Sequence, residues 1–329
     1  MSFRALALLC LSLLAFSLFV LAQSGRQTDQ PQAARPRRVT EEQEGKPIKL
    51  SADLVTVVTS VTDPAGNQVN DLTQADFQVF EDNVAQDIAG FYRGGEMPLR
   101  LVFLFDTSTS IRHRFDFEQR AAAHFFRQVM RPADQAAIIS VSTDPKLVVQ
   151  FTSNVDELVA ALAGLKPEGA TALYNALIDA ARYLRPAEGR HVMVVLSDGT
   201  DTTSSSSLAQ ALNEVQRSDA VIYGVHSTGV APSASVQDLG GEAVLKTMSE
   251  DTGGRAFYPA IREDQKKESR ELDEIYRRVA AEVRAQYVLT YYARSEARPD
   301  IFKAIRVEAK RPGLQVRARR GYFTSSGKS

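Results

Sequence analysis

The segment Leu99-Arg-Leu-Val-Phe-Leu-Phe105 is apolar at every position but one and shows no alternation of apolar and polar residues. A strand tolerates that pattern when both of its faces are buried, which points to the interior of a parallel sheet covered by helices on either side. The rhythm continues downstream. Phe117, Ala121, Phe125 and Val129 form a helical stripe before the apolar run Ala136 to Val141, and an edge-like run follows at Leu147 to Gln150. Helical stripes recur at Val155, Leu158, Val159 and Leu162 and at Leu173, Leu177, Ile178 and Leu184. The strand Val192 to Leu196, a helix over 208–217, the strand Ala220 to Val225, a helix over 236–250 that stops at Gly253-Gly254, and an amphipathic helix over 268–285 complete the series. This alternation predicts an α/β fold, a doubly wound and mostly parallel sheet with helices on both faces.

The flanks have a different texture. Leu54, Val55, Val57, Val58 and Val61 precede the turn Asp63-Pro-Ala-Gly-Asn67, and Phe77 to Glu81 and Ile88 to Tyr92 read as further strands. After the last helix, 286–292, 302–308 and 314–318 alternate as half-exposed antiparallel strands do. Neither group is large enough to fold alone. The expectation is a small β-sandwich in which residues 286–323 pair with residues 51–95, the α/β domain occupies 96–285, and 324–329 form a tail.

Met1-Ser-Phe-Arg4 and the apolar run Ala5 to Ala22 read as a signal peptide over residues 1–22, with an uncleaved anchor over 5–22 as the alternative. Residues 23–50, rich in Gln, Pro, Arg and Glu, read as a linker. The expected location is extracytoplasmic, either periplasmic or secreted, with membrane contact only if the leader is retained. The single cysteine, Cys10, falls inside the leader, so no disulfide is expected in the mature chain. A net charge of -1 without a run of Lys or Arg argues against nucleic acid as a partner.

Asp106, Ser108 and Ser110 follow the first apolar strand at its carboxyl end, where open α/β sheets bind ligands. Their spacing of two points three oxygens to one side while the chain stays extended. Thr171, in Glu168-Gly-Ala-Thr-Ala172, and Asp198, in Leu196-Ser-Asp-Gly199, occupy loops at the same end, so the five can meet in one crevice. Two carboxylates and three hydroxyls suit a hard divalent cation and leave it underfilled. Each piece also has a structural reading: Ser108 and Ser110 can cap a helix, Thr171 can be an N-cap, and Asp198-Gly199 is a common turn pair. Asp201 can assist through water or simply belong to the serine-rich loop. Ser142-Thr-Asp144 can border the crevice or form a turn before Pro145.

Asp106-Thr-Ser108-Thr-Ser110, Thr171 and Asp198-Gly199, in that order over about residues 98–259, resemble the von Willebrand factor type A family and its metal-ion-dependent adhesion site. The resemblance implies that Asp106, Ser108, Ser110, Thr171 and Asp198 hold Mg²⁺, or alternatively Mn²⁺ or Ca²⁺. It also implies that a protein ligand presenting an Asp or Glu carboxylate completes the ion. The stretch Leu72-Thr-Gln-Ala-Asp-Phe-Gln-Val-Phe-Glu-Asp82 resembles a bacterial secreted group of VWFA-related proteins of the acidobacterial type.

The expected function is an exported, metal-dependent protein-binding module for adhesion or interaction, and not an enzyme. The alternative is an assembly protein of the cell envelope in which the metal only stabilises the fold. For that role Phe91, Tyr92, Tyr291 and Tyr292 are candidates for an exposed aromatic surface, unless they lie in the sandwich core. A hydrolase lacks support: there is no Gly-x-Ser-x-Gly elbow, no phosphate loop and no His-Glu-x-x-His helix. His113, His124, His191 and His226 are scattered, and the last two are expected at strand rims. A triad of Ser108 or Ser197 with His226 is the remaining enzymatic reading.

Overall fold

The computed structural model describes residues 54–112, 114–227, 236–259, 265–293 and 300–324. All lie within the compact unit Lys49–Ser329. The leader expected over 1–22, the linker over 23–50, His113 and most of the tail fall outside the described residues. Among the described residues no helix is long and apolar enough to cross a membrane.

Four strands come first: β1 (Leu54–Thr62), β2 (Phe77–Glu81), β3 (Val84–Gln86) and β4 (Ile88–Arg93). The chain then runs through β5 (Leu99–Asp106), α1 (Phe115–Val129), β6 (Gln135–Val141), β7 (Lys146–Thr152), α2 (Val155–Gly164) and α3 (Leu173–Leu184). It continues with β8 (Arg190–Ser197), α4 (Leu208–Arg217), β9 (Val221–His226), α5 (Val236–Asp251), β10 (Arg255–Phe257) and α6 (Gln265–Ala285). Four more strands follow: β11 (Tyr287–Tyr292), β12 (Phe302–Ala309), β13 (Gln315–Ala318) and β14 (Gly321–Phe323).

β5 is buried on both faces as its composition requires. It lies inside a six-stranded sheet of order β10-β9-β8-β5-β6-β7, parallel except for β7, which runs antiparallel to β6. Successive β5 residues feed opposite cores. Phe103 and Phe105 pack with Phe125 and Phe126 of α1 and Tyr276 of α6. Val102 and Leu104 pack with Leu177 of α3, Val215 of α4 and Leu245 of α5. After β7 the chain returns to place β8 on the other side of β5, so strand order reverses at the carboxyl end of β5 and opens a crevice there.

The flanking strands form two four-stranded sheets, β13-β1-β11-β4 and β14-β12-β2-β3. Val55, Val57, Phe77, Val79, Leu289, Tyr291 and Val307 fill the space between them. Each sheet mixes strands from both flanks: β1 pairs with β11 in the register Val57↔Leu289, and β2 pairs with β12 in the register Val79↔Val307. Strand alternation splits the two aromatic pairs of the sequence. Phe91 and Tyr291 face the sandwich core, while Tyr92 and Tyr292 are 43% and 58% exposed. Three strands not anticipated from the sequence, β3, β10 and β14, have three residues each, too short for any periodicity to register.

The stretch Leu72 to Asp82 builds this sandwich. Leu72 is buried and its N–H donates to the Tyr287 hydroxyl at 3.0 Å. The Asp76 carboxylate accepts from the Thr73 N–H at 2.8 Å, while Phe77 and Val79 enter the core. Glu81, buried between the sheets, accepts from the hydroxyls of Tyr291 at 2.8 Å and Tyr322 at 2.9 Å. Asp82 and Asn83 both have positive φ, 48° and 65°, which the tight β2–β3 turn demands.

The sandwich and the α/β domain meet around Arg190, at the start of β8, which is 2% exposed. Its guanidinium donates to the carbonyls of Val283 at 2.6 Å and Gly94 at 3.1 Å, and also to the Gln286 side-chain oxygen. Gln286 in turn donates to the Tyr223 hydroxyl at 2.8 Å. Burial pulls the Arg190 guanidinium down to about 10, so it stays charged at neutral pH. Replacing it with an apolar side chain strands three buried acceptors. Arg190→Leu is therefore expected to cost about 3 kcal/mol, seen as a lower urea midpoint with an unchanged slope; a midpoint at the wild-type value would show that this junction carries no stability.

Candidate metal centre

Asp106 ends β5 with its side chain fully buried. Both carboxylate oxygens are held: Oδ1 accepts from the Ser108 N–H at 2.8 Å, and Oδ2 accepts from the Ser197 hydroxyl at 2.7 Å. Ser197 is itself fixed, because its oxygen accepts from the Gly199 N–H at 3.1 Å. Burial pushes the Asp106 carboxyl up to about 6. The bonds from Ser197 and Ser108 pull the other way, and the charge of Asp198 adds to the rise.

The loops around this carboxylate are locked to one another. The Thr107 N–H and hydroxyl donate to the Val141 carbonyl at 2.8 and 3.1 Å, and the Thr107 carbonyl accepts from the Glu168 N–H at 2.6 Å. The Thr109 N–H donates to the Gly169 carbonyl at 3.2 Å. The Thr171 carbonyl accepts from the N–H groups of Thr202 at 2.8 Å and Thr203 at 3.2 Å, and its own N–H donates to the Thr202 hydroxyl at 3.0 Å. The segments carrying Asp106, Ser108, Thr171 and Asp198 are thereby joined at one end of the sheet. Ser110 lies in the 3-10 turn Thr109–Ile111, and its side chain falls outside the described residues.

Two of the structural readings of these residues do not apply. Ser108 makes no capping bond with its side chain. Thr171 is not the N-cap of α3; Ala172 is. The start of α3 is capped from a distance instead. The Asp201 carboxylate accepts from the Tyr174 N–H at 3.1 Å and from the Ser204 hydroxyl at 2.6 Å, and the Ser204 hydroxyl oxygen accepts from the Asn175 N–H at 3.1 Å. Asp201 is thus committed to holding the helix beside Thr171. Asp198 does form a turn, with Oδ1 accepting from the Thr200 N–H at 2.8 Å.

Gly199 is obligatory in that turn. Its φ is 77°, and a Cβ there would sit 2.1 Å from the Gly241 carbonyl oxygen, where α5 approaches. The 142–144 segment is both a turn and a border. The Ser142 hydroxyl donates to the Asp144 carbonyl at 3.0 Å, the Ser142 carbonyl accepts from the Ala172 N–H at 3.0 Å, and the Thr143 hydroxyl oxygen accepts from the Ala170 N–H at 2.9 Å.

The histidines are not where a rim would put them. His191 is buried with its ring nitrogens 2.6 Å from the Ser218 carbonyl and 2.8 Å from the Ala187 carbonyl, and His226 is 1% exposed. Ser197 pairs with His226 across β8 and β9, yet its hydroxyl proton is given to Asp106 and the side chain is fully buried. Ser197 supports a carboxylate in this arrangement and does not present a nucleophile. Sequence reasoning weighed it only as a nucleophile; the signal overlooked is its place directly between a buried strand and Asp198.

The donor set passes a chemical test. Among the described residues no three His, Cys, Asp or Glu side chains come together, so a cation here depends on hydroxyls beside two carboxylates. A buried, pre-oriented carboxylate with a second one electrostatically coupled to it suits a small oxygen-loving cation.

Residues 101–200 match the family model of the von Willebrand factor type A domain. No curated protein matches the chain. Among solved structures, the PilB minor pilin from Streptococcus sanguinis is 12% identical, covering 61% of this chain and 64% of its own, with a TM-score of 0.43. An aerotolerance-related membrane protein from Bacteroides fragilis, in a form with several residues changed to serine, is 17% identical over 54% of this chain and 99% of its own, with a TM-score of 0.41. The vWF domain of the type V pili tip protein from Porphyromonas gingivalis is 20% identical over 32% of this chain and 39% of its own, with a TM-score of 0.29. This chain spans less than two thirds of the pilin's length. The match over residues 101–200 makes that part of the α/β sheet similar to the von Willebrand factor type A domain.

Proposed function

We propose that this protein is an exported, non-enzymatic interaction module that binds a partner through a divalent cation. Asp106, Ser108, Ser110, Thr171 and Asp198 would hold the ion, Mg²⁺ in the first instance and Mn²⁺ or Ca²⁺ as alternatives. The observation that carries this reading is the buried Asp106 carboxylate with both oxygens pre-oriented at the switch point of the sheet. A buried charge is costly even with a donor on each oxygen, and a cation offsets that cost. Raising the carboxyl from 3.8 to about 6 corresponds to about 3 kcal/mol of destabilisation in the cation-free fold at neutral pH. Two carboxylates balance the charge of Mg²⁺, and with three hydroxyls they leave the ion about one coordination position for water, which an Asp or Glu of a partner can displace to bridge the two proteins.

The pH dependence has a definite sign. The folded-state value of Asp106 lies above its unfolded value, so the cation-free fold loses stability as pH rises from about 4 through about 6. Mg²⁺ is therefore expected to raise the melting temperature more at about pH 7.5 than at about pH 5. Asp106→Asn, which keeps the shape and removes the charge, is expected to melt higher than wild type in EDTA and to gain nothing from Mg²⁺. Equal Mg²⁺ responses in the two proteins would contradict the assignment.

The bridging role is tested by capture from cell-envelope extract on immobilised wild type and Asp106→Asn, each with Mg²⁺ and with EDTA. The expected result is a partner held only by wild type with Mg²⁺. Retention in all four conditions would assign binding to another surface and leave the metal a stabiliser of an assembly protein.

A further inference from the structure

β7 forms one edge of the six-stranded sheet and, among the described strands, pairs with β6 alone. The half of β7 remote from the metal centre is closed. The Phe151 N–H donates to the Tyr183 hydroxyl at 3.0 Å, the two rings stack at 4.7 Å, and Val149 is buried in the core beside Leu158 of α2. The half beside the centre is open. Lys146 is exposed, and Leu147 and Val148 are 42% and 37% exposed. Edge strands are ordinarily protected by charges, Pro or a covering element. Here Pro145 and Lys146 guard the entry to the strand, and Leu147 and Val148 follow with no strand pairing on their outer side among the described residues.

This edge adjoins the crevice. Lys146 lies opposite Ser140 of β6, one residue before Val141, which is aligned with Asp106. The 142–144 turn that leads into β7 holds Ala170 and Ala172, the neighbours of Thr171, and Lys146 pairs with Glu168 at 3.9 Å. Two features of one face thus lie side by side: a site for a cation that takes a carboxylate, and a short strand whose outer edge, with aliphatic side chains, pairs with no other described strand.

We infer that the partner is an extended segment that adds its backbone to the Lys146–Val148 edge and delivers its carboxylate to the cation from there. The inference rests on the metal-bridging reading above. Strands lie roughly 4.8 Å apart, so an added strand runs roughly 14 Å from β5. At about 3.3 Å per residue, with the acidic side chain and the ion closing the remainder, the Asp or Glu falls about three residues beyond the paired stretch. In the paired stretch, β-branched or aliphatic residues match Leu147 and Val148.

A phage-displayed random peptide library of about twelve residues, panned on the full chain in Mg²⁺, supplies the probe. The enriched peptides are expected to carry one Asp or Glu about three residues from an aliphatic or β-branched run. Synthesised, they should bind Val148→Pro and Leu147→Glu at least about tenfold more weakly than wild type, with Mn²⁺ affinity unchanged in both variants. Peptides that bind Val148→Pro as tightly as wild type, or that lack such a run, overturn the inference. Peptide binding that survives EDTA but is lost in the edge variants contradicts the metal reading and leaves the edge site standing. If either variant melts lower than wild type, amide exchange on the wild-type protein decides. Protection gained at Lys146 to Val149 on adding peptide supports the inference, and its absence overturns it.

Discussion

The Asp106 carboxylate, buried at the end of the central strand, is the constraint around which this crevice is organised. A charge in that position is tolerated because Ser108 and Ser197 donate to its two oxygens, the first from the loop that follows β5 and the second from the end of β8. The carboxylate therefore ties the carboxyl ends of β5 and β8 together where the sheet reverses its order. Thr107, Gly169, Thr171 and Thr202 then close a ring of backbone bonds around it. Asp201, Ser204 and the Gly199–Gly241 contact fix the outer loop to α3 and α5. The crevice is thus pre-organised by the fold, with little reliance on loop flexibility.

The sandwich belongs to the same mechanical unit. Val58 and Val288 sit on the outer side of its first sheet yet enter the α/β core, and Arg190 gathers acceptors from Gly94, Val283 and Gln286 at the seam. A second polar knot lies nearby, where Glu282 of α6 is buried and pairs with Arg317 of β13 and with Gln68 at 3.4 Å. Buried polar groups satisfied by partners on both sides of a seam fix orientation more than they add stability.

Much of this was legible in the residues. The run at Leu99 to Phe105, apolar at all but one position, points to a strand covered on both faces, and β7 is the edge strand expected at Leu147 to Gln150. The alternation in 286–292 and 302–308 identified half-exposed strands. Long-range roles left no local trace. Nothing near Arg190 announces that its acceptors are almost a hundred positions away, and Gly241 reads as a poor helix residue until Gly199 is seen against it. Ser197 leaves only its place beside Asp198 as a signal of its role, and the bond that Asp201 accepts from the Tyr174 N–H comes from an element remote in sequence. His191 and His226 were placed at rims because strand ends are ordinarily exposed; here helices and neighbouring strands cover them.

The central claim is that these five side chains hold one divalent cation. Anomalous diffraction from crystals grown with Mn²⁺ tests it most directly. The account predicts one peak at the carboxyl end of β5, at about 2.0 to 2.3 Å from the hydroxyls of Ser108 and Ser110 and with Thr171 and Asp198 around it directly or through water. A map without a peak there, or with Mn²⁺ held by other residues, would contradict it.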